Sequence, residues 1–154
     1  MDINYDIDEA TLVAHGFTEY FSATGKGPML KHGMQPPPNT KEVFMGCGAV
    51  GSNVLRMGVF GTPEELFDHR FYPQCLESNA KAVRNYHAYY ATESSEGIGF
   101  SKGSTVNLCS ADIYDYDDES KMSGHTSTTN ALWRCGSEPH DFLDTFKIVF
   151  YSRS

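Results

Sequence analysis

The sequence predicts a mostly β chain: a small antiparallel β-sandwich held by two disulfides, with one short helix and an amino-terminal extension. Short runs rich in Val, Ile, Thr, Tyr and Phe recur after residue 40, each bounded by Gly, Ser, Asn or Pro. No strand-helix-strand crossover repeats, so the strands read as antiparallel. Four cysteines, Cys47, Cys75, Cys109 and Cys135, stand far apart along the chain.

With 154 residues, 40% of them hydrophobic and 13% aromatic, the chain has enough apolar material for one core. It has no room for separate cofactor and catalytic domains. The triple proline Pro36, Pro37, Pro38 fits neither a helix nor a central strand and reads as a stiff polyproline connector. The expected division is an arm and connector over 1–40, then the sandwich over 41–154. The arm opens acidic, with Asp2, Asp6, Asp8 and Glu9, and carries a weakly helical pattern of Val13, Phe17, Tyr20 and Phe21 interrupted by Gly16.

Strands are expected over 43–47, 53–60, 81–91, 105–116, 128–135 and 145–151. In the last, Phe146, Ile148 and Phe150 fall on one face and Lys147, Val149 and Tyr151 on the other, so one face is expected to be core. The single helix start after the prolines is at Thr62, with Pro63 at the first helical position and Glu65 completing a capping box. That helix is expected over about 63–70, burying Leu66 and Phe67.

Twenty acidic residues against 12 basic ones give a net charge of −8, which disfavours nucleic acid and anionic membranes and favours basic partners. No apolar run approaches the ~20 residues of a membrane span, so no membrane insertion is expected. The amino terminus has no signal pattern, and the chain reads as a soluble segment whose signal, if it is secreted, has been removed.

The cysteines form no Cys-x-x-Cys and no close Cys/His pair of the kind that builds a structural zinc site, so no metal is expected at them, and an even, wide spacing reads as two disulfides. Four free core thiols are the alternative. Closing loops this long would contribute roughly 4 kcal/mol each in the chain-entropy picture, and the implied compartment is oxidising and extracellular.

Gly46-Cys47-Gly48-Ala49-Val50-Gly51 spells the glycine fingerprint of dinucleotide sites, but Gly58 and Gly61 follow where a helix would have to run. A glycine-rich bend beside a disulfide is the better reading, and no cofactor is expected. The six histidines show no i, i+4 pair; a Cys/His dyad would need Cys47 or Cys109 free. The acidic aromatic run Asp112, Ile113, Tyr114, Asp115, Tyr116, Asp117, Asp118, Glu119 lacks the spacing of an EF-hand. It remains open as a calcium site, a recognition surface or a solvated strand end. The polar stretch from Ser123 to Thr129 reads as an exposed loop, and Gly136-Ser137-Glu138-Pro139 as a turn. No Asn-x-Ser/Thr acceptor occurs.

Four cysteines in a small antiparallel sandwich, the turn Val59-Phe60-Gly61-Thr62 before the second of them, and Tyr114 and Tyr116 after the third resemble the ZP-N domain. That family builds egg coats and other extracellular polymers. The unit length, acidic character and arm before the prolines resemble more specifically the repeats of vitelline-envelope receptors for lysin in abalone. The resemblance implies an Ig-like sandwich and pairing of the first cysteine with the fourth and the second with the third: Cys47–Cys135 and Cys75–Cys109. It also implies a secreted egg-coat repeat that associates with sister repeats. Such a repeat would bind a basic, lysin-like sperm protein without enzymatic activity. Asp112, Tyr114, Asp115, Tyr116, Asp117, Asp118 and Glu119 are the expected partner-binding residues. Two other classes remain as rivals: a secreted disulfide-bonded toxin or effector, and a small Cys/His hydrolase.

Overall fold

In a computed structural model, residues 3–24, 35–67, 78–79, 81–83, 85–91, 97–102, 105–106, 122–125, 132–136, 138–141 and 146–154 are described. The last strand, β13 (Phe146–Arg153), shows how they are organised. Ile148 and Phe150 enter one apolar core while Val149 and Tyr151 enter a second, so the expected alternation holds but both faces are buried. β13 also lies inside its sheet, paired with a neighbour on each edge.

That sheet also contains β1 (Asn4–Asp8), β2 (Thr18–Thr24), β3 (Glu42–Ala49) and β4 (Val54–Gly61), in the order β1-β4-β3-β13-β2. The second has the order β12-β11-β10-β8-β7-β6, from β6 (Lys81–Val83), β7 (Tyr86–Ala91), β8 (Gly97–Ser101), β10 (Met122–His125), β11 (Leu132–Cys135) and β12 (Glu138–Asp141). A short pair joins β5 (Ser78–Asn79) to β9 (Thr105–Val106). All the described pairings are antiparallel, as expected.

The larger core lies where the two six- and five-stranded sheets meet: Met45, Met57 and Phe150 from one pack in the same cluster as Tyr86, Ile98 and Phe100 from the other. Cys47 on β3 is bonded to Cys135 on β11, with Cα atoms 6.0 Å apart, so a covalent staple crosses this core. The first-to-fourth pairing implied by the ZP-N resemblance is therefore present. Cys75 and Cys109 lie outside the described residues.

The chain before the triple proline supplies both outer strands of the five-stranded sheet, β1 on β4 and β2 on β13. Between them α1 (Glu9–Ala14) packs on the outer face, so the described residues hold two helices where one was expected. Asp8 caps α1 by accepting from the Ala10 N–H at 2.9 Å, and Gly16 at φ +89° turns the chain out of it. The weak helical pattern thus divides: Val13 is helical, whereas Tyr20 and Phe21 sit on a strand. Leu12 and Phe17 are buried against Phe44 and Tyr151, contributing roughly 1.5–3 kcal/mol each.

The second helix, α2 (Pro63–Leu66), starts as its capping box predicts, with the Thr62 hydroxyl accepting from the Glu65 N–H and the Glu65 carboxylate from the Thr62 N–H. Leu66 and Phe67 are buried. The helix stops at Leu66, short of the expected 70, because Phe67 leaves helical geometry as its ring packs against Tyr90.

Other expectations need correction. Gly46 and Gly48 are not a bend but lie within β3; the turn falls at Gly51, φ +85°. The run 81–91 is a hairpin of β6 and β7, because Val83 pairs with Tyr86 across the turn at Asn85. The presumed loop beginning at Ser123 starts as β10, between β8 and β11, and the presumed turn at Glu138 and Pro139 is part of β12. Proline is tolerated there because β12 is the outermost strand of its sheet. Of the expected strand over 105–116, Thr105 and Val106 form β9, and residues 107–116 lie outside the described residues.

Candidate functional site

The partner-binding residues expected from sequence, Asp112, Tyr114, Asp115, Tyr116, Asp117, Asp118 and Glu119, lie outside the described residues. Three other constellations are on view.

The first surrounds the disulfide. Arg56 on β4 donates through Nη1 to the Cys135 carbonyl at 2.9 Å, and its guanidinium stands 5.1 Å from the centre of the Phe146 ring. Both sulfur-bearing residues are buried, at 0% and 2% exposure. With its sulfur bonded to Cys135, Cys47 has no thiolate to offer, which removes it as the nucleophile of a Cys/His dyad.

A second constellation latches α1 to the sheet. The Glu9 carboxylate accepts from the Lys147 ammonium at 2.9 Å and from the Tyr151 hydroxyl at 2.7 Å. Burial pushes the Tyr151 hydroxyl's pKa above the usual tyrosine range, and the adjacent Glu9 carboxylate pushes it further. The Tyr151 hydroxyl therefore keeps its proton and donates it to Glu9.

The third is a cleft of about 370 Å³ on the outer face of the five-stranded sheet, between α1, β1 and the ends of β3, β4 and β13. Its apolar lining is Ile7, Leu12, Phe17 and Phe60; Asn4, Thr11, His15, Glu42 and Arg153 supply the polar groups. Glu42 and Arg153 face one another in the β3–β13 register and form an ion pair. Arg153 also donates through Nη1 to the His15 carbonyl at 2.9 Å, and its guanidinium lies 4.6 Å from the centre of the Phe17 ring. The His15 Nδ1 is 2.8 Å from the Thr11 carbonyl. A carbonyl only accepts, so Nδ1 carries a proton in this contact, and Nε2 is the ring nitrogen left over.

Sequence reasoning missed this cleft. His15 counted among scattered histidines, and the Glu42–Arg153 pair, 111 positions apart, becomes visible only once the β3–β13 register is known. Among the described residues no three His, Cys, Asp or Glu side chains are placed to hold a metal ion. No helix in them is long and apolar enough to cross a membrane. Comparisons of the chain with protein families, curated proteins and solved structures match nothing.

Proposed function

We propose that this chain is an extracellular, non-enzymatic structural and recognition module: an Ig-like, ZP-N-like sandwich, closed by a second bridge between Cys75 and Cys109. In this reading it is a repeat of an egg coat, a vitelline envelope, that associates with sister repeats and binds a basic, lysin-like sperm protein. The observation that carries the reading is the Cys47–Cys135 staple between antiparallel sheets, which joins the first cysteine to the fourth. A buried disulfide of this kind suits a secreted protein.

The net charge of −8 supports a basic partner. In a medium of roughly 0.5 M ionic strength the Debye length falls to about 4 Å, so carboxylates act mainly at contact. The acids of the 112–119 run would then work beside Tyr114 and Tyr116 as aromatic anchors of an interface of ~800 Å² per partner. Binding that competes with contacts between repeats would loosen the coat by mass action, with no bond cleaved.

The test is a pull-down with a basic sperm protein across a salt series, using the wild type and a variant carrying Asp115→Asn, Asp117→Asn and Asp118→Asn. Weaker capture by the variant is expected. Equal capture by both removes the acidic run from the site, and no capture of either overturns the receptor reading. A thiol count under denaturing, non-reducing conditions tests the second bridge: zero free thiols are expected.

A further inference from the structure

The cleft beside α1 has groups left over after its own bonds are made. The Glu42 Oε1 takes the Arg153 ion pair, and Oε2 has no partner among the described residues. Arg153 uses one donor on each of Nη1 and Nη2, leaving the rest of its five N–H groups. His15 is held by Nδ1 and presents Nε2. Acceptors and donors therefore line the same cleft as the apolar side chains of Ile7 and Phe60.

The charges in the lining decide the class of ligand. Glu42 and Arg153 neutralise one another, so neither a free cation nor a free anion finds an unopposed charge. A neutral molecule that both donates and accepts from neighbouring groups, and has an apolar face, uses the cleft fully. A volume of about 370 Å³ suits a small ligand, at the low end of the ~300–1,000 Å³ of binding pockets.

We infer that this cleft binds a neutral saccharide, with vicinal hydroxyls bridging Glu42 Oε2, Arg153 and His15 Nε2, and the C–H face of the sugar ring on Ile7 and Phe60. The site goes beyond the proposed recognition of a basic protein, because it uses none of residues 112–119 and requires no such partner. Because the Arg153 contacts also hold Phe17 and His15, an occupied cleft would add bonds between α1 and the sheet and slow its exchange.

The experiment titrates the full-length, 15N-labelled chain with methyl glucoside, methyl mannoside and N-acetylglucosamine. Butylamine serves as cationic probe and acetate as anionic probe. The expected result is a saturable shift of the Asn4, Thr11, His15, Glu42 and Arg153 amides with at least one sugar, with Kd in the millimolar range. Affinity should fall roughly tenfold in Glu42→Gln, which replaces the carboxylate acceptor and its Arg153 ion pair by an amide, and roughly tenfold in His15→Ala, which removes the Nε2 partner. Thr11→Trp, which fills the cleft from its exposed rim, should abolish the shift and serves if either other variant loses its amide dispersion. The inference is overturned if no sugar moves these amides, if the shift survives Thr11→Trp, or if butylamine or acetate binds there more tightly than every sugar.

Discussion

Tyr86 and Phe60 tie the two sheets together: the hydroxyl of fully buried Tyr86 on β7 donates to the Phe60 carbonyl on β4 at 2.6 Å. The bond lands one residue before Gly61, where a Cβ would stand 2.9 Å from the same hydroxyl, so glycine there keeps the approach open. Tyr86→Phe retains the ring and removes the bond. It should cost about 1–2 kcal/mol, read as a lower urea midpoint with an unchanged slope. An unchanged midpoint would mean that the bond contributes nothing net.

Gly46 and Gly58 face each other across β3 and β4, and the Phe44 ring lies over both. A Cβ on Gly58 would sit 2.2 Å from the Phe44 Cζ. Replacing a strand glycine by alanine would ordinarily gain about 0.5–1 kcal/mol of backbone entropy, but displacing a packed ring costs about 1–3 kcal/mol, so the steric cost should win. Gly58→Ala is expected to destabilise the fold, and less so in a Phe44→Leu background. Additivity of the two changes in a double-mutant cycle would refute the ring-over-glycine account.

The Cys47–Cys135 bridge closes a separation of 88 residues, for which the chain-entropy picture gives about 4 kcal/mol. Replacing both cysteines by alanine should lower stability by about that amount in equilibrium unfolding. Because both residues are buried, a reductant should reach the native bond only through opening of the fold. Reduction should therefore accelerate with urea in step with unfolding; reduction at a urea-independent rate would show the bond to be accessible from the surface.

Among the described residues, Tyr20 and Tyr151 hold their hydroxyl protons above the usual tyrosine range. Burial raises the Tyr20 pKa, with Tyr90 adding to it, and burial followed by Glu9 raises that of Tyr151. A raised pKa means that the folded state holds its proton more tightly than the unfolded chain, whose tyrosines titrate at about 10. The stabilisation is complete below that pH and is lost as pH climbs toward the folded-state values. Stability should fall above pH ~10, and more gently in Tyr20→Phe and Tyr151→Phe. Identical alkaline limbs for all three proteins would exclude both residues.

What the sequence determined by itself is local. The capping box of Thr62 and Glu65 and the alternation from Phe146 to Tyr151 depend on residues within a few positions of one another. Each is therefore readable along the chain. The cysteine count anticipated a covalent framework, and the pairing of Cys47 with Cys135 followed from the family resemblance. Tertiary structure decided the rest. Apolar burial has no direction of its own, so Val13, Phe17, Tyr20 and Phe21 suggested a helix until β13 supplied an edge for residues 18–24 to pair with. Glu9 meets Tyr151 across 142 positions, and Glu42 meets Arg153 across 111. Such meetings are set by strand order and register, which arise only when the whole sheet assembles and a one-residue slip would send each side chain to the opposite face.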